Sequence, residues 1–453
     1  MKTILIIMKT MSQTFANTSK KSKIPLKLEY KSNTKSKSNS KYKSKTKSKT
    51  RKSPGKVIHR FMKQTKAQRQ SHFLQNICSD SGLCIAFGTE NNKIKEFFNN
   101  FAAFNYVVPP INSIGVPSAN GFIKEINYQH KNYTANTILK SSISYEADNL
   151  FYEYFVGLTV NKWTNYFPCF VETYGLYKYK NNPDYENIKN TKHISDISLL
   201  KNALELISTS KDKLHNFDVN DTCKNSKYYS VLIQHIRNAP TLRNKLNSIS
   251  SINSLAILAQ VYFVLKPLTN DFVHNDLHTG NIMLYQPASD KYICLHYYFP
   301  DNSVIVLKSY YVAKIIDYGR CYVSTNKNLY TYLCSRPDCD DCGGAKGFWM
   351  QSSLNTDTYY ISSIVRNPSH DLRLFKSIFP KAVNYKTDFG TPANTNKNIN
   401  KPNNVSDASD YLKRYFNQPG KIYFSETEFP PDKKFADLHI YLDMSASMRF
   451  TKV

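Results

Sequence analysis

The sequence predicts an α+β protein with a β-rich N-terminal part, a larger and mainly helical C-terminal part, and a basic tail in front of both. The chain has 453 residues, more than one compact core usually holds. Short β-branched and aromatic runs bounded by Asn, Gly and Pro fill 106–180, which is typical of strands. The run NSLAILAQVYFVLKPL at 253–268 has a helical length and almost no polar face, which predicts a buried helix.

The formal charge of +27 is concentrated at the N-terminus, where residues 1–70 carry +20 and the remainder carries +7. Between 19 and 56, Lys, Ser, Thr and Asn nearly alternate, with too little apolar surface to offset ordering entropy, so 1–70 is predicted to be disordered. Two interpretations stay open: an arm that binds nucleic acid or directs nuclear entry, and a solvated tail without a dedicated partner.

Nothing in the sequence predicts a membrane partner. No run approaches the roughly 18 apolar residues of a span, and the apolar core of the opening MKTILIIMKT is too short for a secretory signal. Nine scattered cysteines are typical of reduced thiols. We therefore expect a soluble intracellular protein.

The predicted order begins with an N-terminal extension at 71–105 that holds short helices. Strands follow over 106–236, with one helical stretch near 144–159 and a buried strand, YYSVLIQHI, at its end. The polar, Asn- and Lys-rich segment 181–227 reads as an insertion containing the helix ISDISLLKNALELI. The C-terminal part is predicted to span 237–453, with loop around KTDFGTPANTNKNINKPNNVSDAS.

Two distant motifs carry chemistry. In HNDLHTGNIMLY, Asp276 is placed to accept a hydrogen bond from a reacting hydroxyl, and Asn281 to offer a carbonyl oxygen to Mg²⁺. In YYVAKIIDYGR, Asp317 ends an apolar strand beside a glycine and suits a second metal contact. The order, the strand contexts and the separation of 276 and 317 together resemble the catalytic loop and DFG segment of the protein-kinase-like superfamily, with Tyr318 in place of Phe.

The resemblance covers about 110–375 and implies a bilobal kinase-like fold that uses ATP. It implies an upstream lysine at the end of an apolar strand, which TANTILKSS supplies as Lys140. The resemblance further implies a glutamate partner on the next helix. We expect Glu153, because Glu146 follows Lys140 too closely to begin a helix, and the alternative is that both glutamates are solvated helix-face charges.

A glycine-rich loop over the phosphates is the next implied feature. GVPSANGFI offers Gly115, Ser118 and Gly121 ahead of Lys140. It lacks the middle glycine, and Pro117 removes one N–H donor, so a plain turn is the alternative.

The resemblance also implies an adenine-binding hinge around Gln234 to Ile236, with Met283 beneath the base. Asp371, in NPSHDLRLF, resembles the helix aspartate that anchors the catalytic loop through its backbone.

At three positions the sequence departs from the protein-kinase pattern, which limits what the resemblance implies about regulation and about the acceptor. Asn275 replaces the arginine of HRD, and no APE motif follows the DYG segment. His278 makes HxDLHxGN similar to aminoglycoside and choline kinases, which act on small molecules.

A cysteine-rich segment at 321–344 follows the second acidic motif. Cys321, Cys334, Cys339 and Cys342 have spacings that suit one structural Zn²⁺, with free cysteines in a loop as the alternative.

The predicted function is an ATP- and Mg²⁺-dependent phosphotransferase with an alcohol acceptor, read first as a serine/threonine protein kinase. Two alternatives stay open: a nucleotide-binding pseudokinase or nucleic-acid-associated scaffold, and a small-molecule kinase. The Lys-, Asn- and Tyr-heavy composition resembles putative kinases of large DNA viruses, which would place the protein in a virion or infected cytoplasm.

Overall fold

A seven-stranded antiparallel sheet dominates the N-terminal part of the protein in the computed structural model, and a buried helix dominates the C-terminal part. The fold class is therefore α+β, as the sequence predicts. The structure describes residues 91–118, 121–147, 149–164, 166–210, 218–286, 293–324, 333–334, 347–351, 358–382, 402–417 and 438–444. The predicted basic tail and most of the predicted N-terminal extension lie outside these residues.

The strands of the large sheet lie in the order β5-β1-β2-β3-β7-β4-β6. They are β1 (Val107–Ser118), β2 (Gly121–His130), β3 (Tyr133–Ser141), β4 (Thr173–Tyr179), β5 (His193–Ile194), β6 (Leu204–Ser208) and β7 (Tyr229–Gln234). Strand β7 lies within the predicted strand YYSVLIQHI. Every residue of β7 is buried, because β3 and β4 flank it on both sides.

The nine α-helices of the described residues account for most of the remaining core. They are α1 (Asn91–Phe97), α2 (Asn149–Thr164), α3 (Asn182–Asn190), α4 (Ile197–Ala203), α5 (Val219–Lys224), α6 (Leu242–Lys245), α7 (Ser251–Leu268), α8 (Leu372–Ala382) and α9 (Val405–Phe416).

Smaller strands complete the C-terminal part, in two-stranded and three-stranded sheets. They are β8 (Phe272–Val273), β9 (Ile282–Tyr285), β10 (Ile293–Tyr298), β11 (Val304–Ser309), β12 (Val312–Ile315), β13 (Tyr322–Val323), β14 (Phe348–Gln351), β15 (Thr358–Ile361) and β16 (Leu438–Asp443).

Helix α2 is the predicted helical stretch near 144–159, shifted a few residues toward the C-terminus. It is apolar on nearly every face and packs against the large sheet. A Cβ added at Gly157 would lie 2.0 Å from Thr173 Oγ1, so only glycine lets the helix approach β4 this closely. This close contact sets the distance between α2 and the sheet, and therefore how far the side chains of α2 reach toward β3.

The segment predicted as an insertion forms both edges of the large sheet, because it supplies β5 next to β1 and β6 next to β4. The predicted helix ISDISLLKNALELI is only half right. Asp196 caps α4 at its start, but the helix ends at Ala203 and the residues from Leu204 pair with β4 as a strand. Ladder hydrogen bonds with an existing edge outweighed the local helix propensity of this run.

Helix α7 is the predicted all-apolar helix and forms the centre of the main core. Ser250 caps its N-terminus by accepting a hydrogen bond from the Asn253 amide. It is the one helix of the described residues long and apolar enough to cross a membrane, but 78% of it is buried inside the protein. Its composition is that of a core helix, which is compatible with a soluble protein.

The prediction of loop over 386–419 is wrong for Val405–Phe416, which form helix α9. Asn404 caps it by accepting from the Asp407 amide, and Ala408, Leu412 and Tyr415 bury one face against the core. The apolar positions recur with a helical period inside an otherwise Asn- and Asp-rich run, and packing against α7 stabilises them.

Candidate functional site

Lys140 lies near the end of β3 with its ammonium between two carboxylates. Lys140 Nζ is 2.6 Å from Glu153 Oε2 and 3.0 Å from Asp317 Oδ1. Glu153 is on α2, and its side chain is only 5% exposed, whereas that of Asp317 is 48% exposed. Three segments far apart in the sequence therefore meet at one lysine, and the predicted choice of Glu153 as its partner matches the observed contact.

The charges of this cluster shift one another's ionisation. Burial alone would lower the pKa of Lys140, but the carboxylates of Asp317 and Glu153 outweigh burial and raise it above its ordinary value. Lys140 in turn lowers the pKa of Asp317, while burial raises that of Glu153. The lysine is thus held cationic across the physiological range, as a group that orients polyanions must be.

Asp317 has a left-handed backbone, with φ at 69°, two residues after the end of β12. A non-glycine residue in this region is strained, and such strain persists only where the surroundings hold it. The next residues provide that support. A Cβ at Gly319 would lie 3.4 Å from Asn149 O, so the turn rests against the first turn of α2.

Tyr318 anchors the same turn from inside the core, where it is 1% exposed. Its hydroxyl accepts from the Val171 amide at 3.0 Å and lies 3.0 Å from Ile315 O and 3.3 Å from Val171 O. The sequence presents this residue only as a substitute for Phe. The structure gives its extra oxygen a function, because the hydroxyl ties the acidic turn to the segment that leads into β4.

The loop that carries Asp276 is held by a carboxylate beneath it. Asp371 accepts the amides of His274 and Asn275, each at 2.9 Å, as the sequence predicts for a structural anchor. Burial raises the pKa of Asp371 to about 7, against the opposing effect of these two amides. Asn275 is left-handed at this point, with φ at 63°, a conformation that asparagine tolerates better than most residues.

Asn275 stands where the sequence pattern has an arginine in other chains, and its side chain links the loop to two other segments. Its side-chain amide donates to Arg320 O at 2.9 Å and more weakly to Ser362 O. It therefore joins the loop to the turn that carries Asp317 and to the segment that follows β15. His274 adds a second connection, because its Nε2 lies 2.9 Å from Ile316 O. The two motifs are therefore hydrogen-bonded to each other through buried groups.

The side chain of Asn281 is oriented by the loop that carries Asp276. Its amide nitrogen donates to Asp276 O at 2.9 Å, and this assignment directs the carbonyl oxygen away from the loop. Antiparallel pairing of Ile282 with Ile315, and the Ile316 amide donating to Asn281 O, then keep the loop beside Asp317. Asn281 and Asp317 thus offer side-chain oxygen atoms of the kind that Mg²⁺ prefers, and a metal at this position stays a prediction.

The Asp276 carboxylate lies among basic groups. Its Oδ1 is 3.0 Å from Arg373 Nη1 and 3.8 Å from His278 Nε2. Sequence reasoning missed Arg373, although it lies two residues after the predicted anchor Asp371. This short spacing is the signal that would have indicated Arg373. Because Asp371 at the start of a helix is bonded to the loop, a side chain in the first turn of that helix lies beside the same loop.

The three residues proposed for a phosphate loop lie at the β1–β2 hairpin. Ser118 pairs with Gly121 at its tip, and Ile123 pairs with Lys140 two residues further along β2. Gly121 has φ at 146°, and a Cβ there would lie 2.1 Å from Ser141 O, so glycine is required. Gly115 is left-handed in β1, with φ at 69°. The described end of the hairpin, at Gly121, thus lies beside the end of β3 that carries Lys140.

The predicted hinge follows β7. The Gln234 amide donates to Glu172 O, and the His235 amide donates to Asn136 O, so both amides are used within the protein. Ile236 is 1% exposed in the segment that leaves the sheet. Met283, on β9, packs against the main core. The structure places these residues at the junction of the two parts, and their role toward adenine stays a prediction.

The predicted zinc ligands are only partly described. Cys339 and Cys342 lie outside the described residues. Cys321 is buried in the main core, where burial raises the pKa of its thiol, whereas Cys334 packs against Cys223 in a separate cluster. No group of three or more His, Cys, Asp or Glu side chains converges as a metal cluster within the described ranges. Structural zinc stays a prediction.

The chain matches no protein-family model and no curated protein. The function must therefore be argued from the arrangement of these side chains.

Proposed function

We propose that the protein is an ATP- and Mg²⁺-dependent phosphotransferase, a serine/threonine protein kinase with a kinase-like bilobal fold. In this proposal the large sheet with α2 is the smaller lobe, and the part built on α7 is the larger one. The single observation that carries the proposal is Lys140 held between Glu153 and Asp317 beside an Asn281 amide fixed on the Asp276 backbone.

Each group then has one task. Lys140 orients the α- and β-phosphates of ATP, and Glu153 keeps the lysine in place. Asp317 and Asn281 hold Mg²⁺, which neutralises phosphate charge when it is bound. Asp276 accepts a hydrogen bond from the acceptor hydroxyl and aligns it with the γ-phosphate.

The nucleotide would replace part of the observed lysine network. The contact between Lys140 and Asp317 is solvent-accessible and screened, so exchange of this partner for a metal-bound phosphate is inexpensive. The contact to Glu153 is more buried and remains. Because phosphoryl transfer needs little covalent chemistry from the protein, these positioned charges suffice.

A peptide acceptor is favoured over a small molecule by an exposed aromatic pair on the segment that leads to the loop carrying Asp276. The β14–β15 hairpin leads into Ser362, whose carbonyl contacts Asn275, and it exposes Trp349 and Tyr360 at 70% and 40%. The two rings lie 5.4 Å apart. Exposed aromatic side chains on this segment suit contact with an extended chain better than with an enclosed small ligand.

Incubating the full-length protein with γ-labelled ATP, Mg²⁺ and a mixture of serine and threonine peptides tests the proposal. We expect label on hydroxyl residues with the wild type and a loss of at least ~100-fold in Asp276→Asn and Asp317→Asn. Nucleotide binding without transfer in all three proteins would indicate a pseudokinase or scaffold instead. Label confined to small hydroxyl compounds would indicate a small-molecule kinase.

A further inference from the structure

A cavity of about 330 Å³ lies against the face of the large sheet that carries Lys140. Side chains alternate along a strand, so Asn136, Ile138 and Lys140 of β3 share one face. Asn127 of β2 pairs directly with Asn136 and lies on the same face. Four residues of an extended strand span about 13 Å, so the part of the cavity at Asn136 is well separated from Lys140.

The cavity is distinct from the predicted position of adenine. Gln234, Ile236 and Met283, which are predicted to contact adenine, are absent from the described residues that line it. A ligand bound here would leave those residues accessible, and its binding does not depend on phosphotransfer.

The side chain of Asn136 is buried and lines this cavity. It is 7% exposed, and its amide makes no hydrogen bond within the described part of the chain. Its backbone is held on both sides, by pairing with β2 and by the His235 amide, which donates to Asn136 O at 3.0 Å. A buried amide without a partner is unfavourable, so a ligand that enters the cavity and pairs with it gains a hydrogen bond at no cost to the fold.

Asn127 repeats this arrangement on the neighbouring strand. It is half-buried, and its Oδ1 atom is buried without a hydrogen-bond partner among the described residues. A half-turn about the last side-chain bond exchanges the amide oxygen and nitrogen, so either group can face the cavity. Two side-chain amides, each with a donor and an acceptor, therefore lie side by side along one wall.

The other walls are apolar or electrically balanced. Val108 and Pro109 supply apolar surface from β1. Arg237 forms an ion pair with Glu125 at 3.0 Å. His235 lies 3.5 Å from the same carboxylate and is uncharged near pH 7, because burial lowers its pKa to about 4. The cavity therefore favours a neutral ligand.

We propose that this cavity binds the uncharged base of a nucleoside, with Asn127 and Asn136 pairing with its polar edge and Val108 and Pro109 contacting its face. A nucleobase presents a donor and an acceptor side by side on one planar edge, which matches a side-chain amide. A peptide group does not, because its N–H and C=O point in opposite directions across a trans bond. The volume lies at the lower end of small-molecule sites, which suits a nucleoside better than a larger ligand.

Isothermal titration calorimetry of the full-length protein with adenosine, cytidine and D-ribose tests the proposal. A saturating non-hydrolysable ATP analogue and Mg²⁺ are present, so that the proposed phosphotransfer site is occupied. We expect a Kd below about 1 mM for at least one nucleoside and no measurable binding of ribose. No heat with either nucleoside up to ~10 mM, or equal binding of ribose, would overturn the proposal.

Variants assign the binding to the two amides. Asn136→Leu and Asn127→Leu should each weaken nucleoside binding at least ~10-fold. Neither should lower the melting temperature of the ligand-free protein, because replacing an unpaired amide with an apolar group of similar size is close to neutral. Asn127 is the less buried of the two, so its variant decides the matter even if Asn136→Leu does not fold.

Asn161→Leu is the matched control, because the amide of Asn161 bonds both backbone groups of Thr173, at 2.6 and 2.9 Å. This variant should lower the melting temperature and leave nucleoside affinity unchanged. Unchanged affinity in Asn127→Leu and Asn136→Leu, or a fall in their melting temperatures as large as that of the control, would overturn the assignment.

Failure of this site and failure of the proposed function give different results. Nucleoside binding that disappears when the ATP analogue is added would show that the cavity belongs to the phosphotransfer site, and would overturn a separate one. Nucleoside binding in a protein that transfers no phosphate would support the cavity site and remove the kinase.

Discussion

Replacing Tyr318 with Phe removes one oxygen from the turn that carries Asp317 and changes little else. The ring is 1% exposed, and the hydroxyl accepts from the Val171 amide while donating to a nearby carbonyl, with Ile315 O at 3.0 Å. Water cannot replace it without entering the core. The substitution therefore isolates the contribution of a buried hydroxyl that locks the acidic turn.

The magnitude follows from the groups left behind. A buried donor or acceptor without a partner costs about 1–3 kcal/mol, and here one amide and one carbonyl lose the same partner. Because Phe fills the same ring volume, no cavity term is added. We expect Tyr318→Phe to lower the free energy of unfolding by about 2 kcal/mol, and to reduce phosphotransfer through a looser Asp317.

Urea unfolding of the full-length protein, followed by circular dichroism, measures the change in stability. Tyr154→Phe is the matched control. Tyr154 is also fully buried, but its hydroxyl makes no well-formed hydrogen bond with the described residues, with the Ser208 side chain as its polar neighbour. Its removal should not lower the free energy of unfolding, because a buried hydroxyl without a well-formed partner is itself unfavourable.

Equal losses in the two variants would contradict the reasoning, because they would show that any buried tyrosine hydroxyl has this effect. A loss below about 0.5 kcal/mol in Tyr318→Phe would likewise show that the three contacts contribute nothing net.

Two further predictions concern ionisable groups. Glu153→Gln should lower kcat/KM for phosphotransfer by about 10–100-fold, since Lys140 loses its buried partner. Urea unfolding should show a loss of roughly 1–3 kcal/mol, because a buried ion pair is broken while Asp317 still pairs with Lys140. Unchanged kinetics would sink the assigned role. His235 is a pH-dependent contributor to stability: burial, aided by Arg237, lowers its pKa to about 4 from 6.5. The unfolded chain therefore takes up the proton first, and stability falls as pH drops from about 6.5 to about 4. Urea midpoints across this range should fall less steeply in His235→Gln, and an identical slope would refute the assignment.

Individual elements show where sequence reasoning succeeded. Helix α7 and strand β7 were predictable because burial on every side demands apolar residues at every position, which is readable without knowing the neighbours. The resemblance implied a glutamate partner for Lys140, and chain geometry selected Glu153 over Glu146, since a helix needs several residues to begin after a strand.

Other elements needed their neighbours. The run from Leu204 has the apolar spacing of a helix, and only the open edge of β4 makes it a strand. Helix α9 lies in a polar run whose few apolar residues acquire meaning when α7 is beside them. In both places local preference was weak, and long-range pairing or packing decided the outcome.

By itself, the sequence determined the identity and order of the charged groups and the strands and buried helix that carry them, because these depend on residue type and short spacing. Only the tertiary structure decided which groups meet. It joined Asp317 to Lys140, placed Asp371 beneath the loop, and brought Arg373 to Asp276. Such contacts depend on how distant segments pack, and a linear pattern does not encode that packing directly.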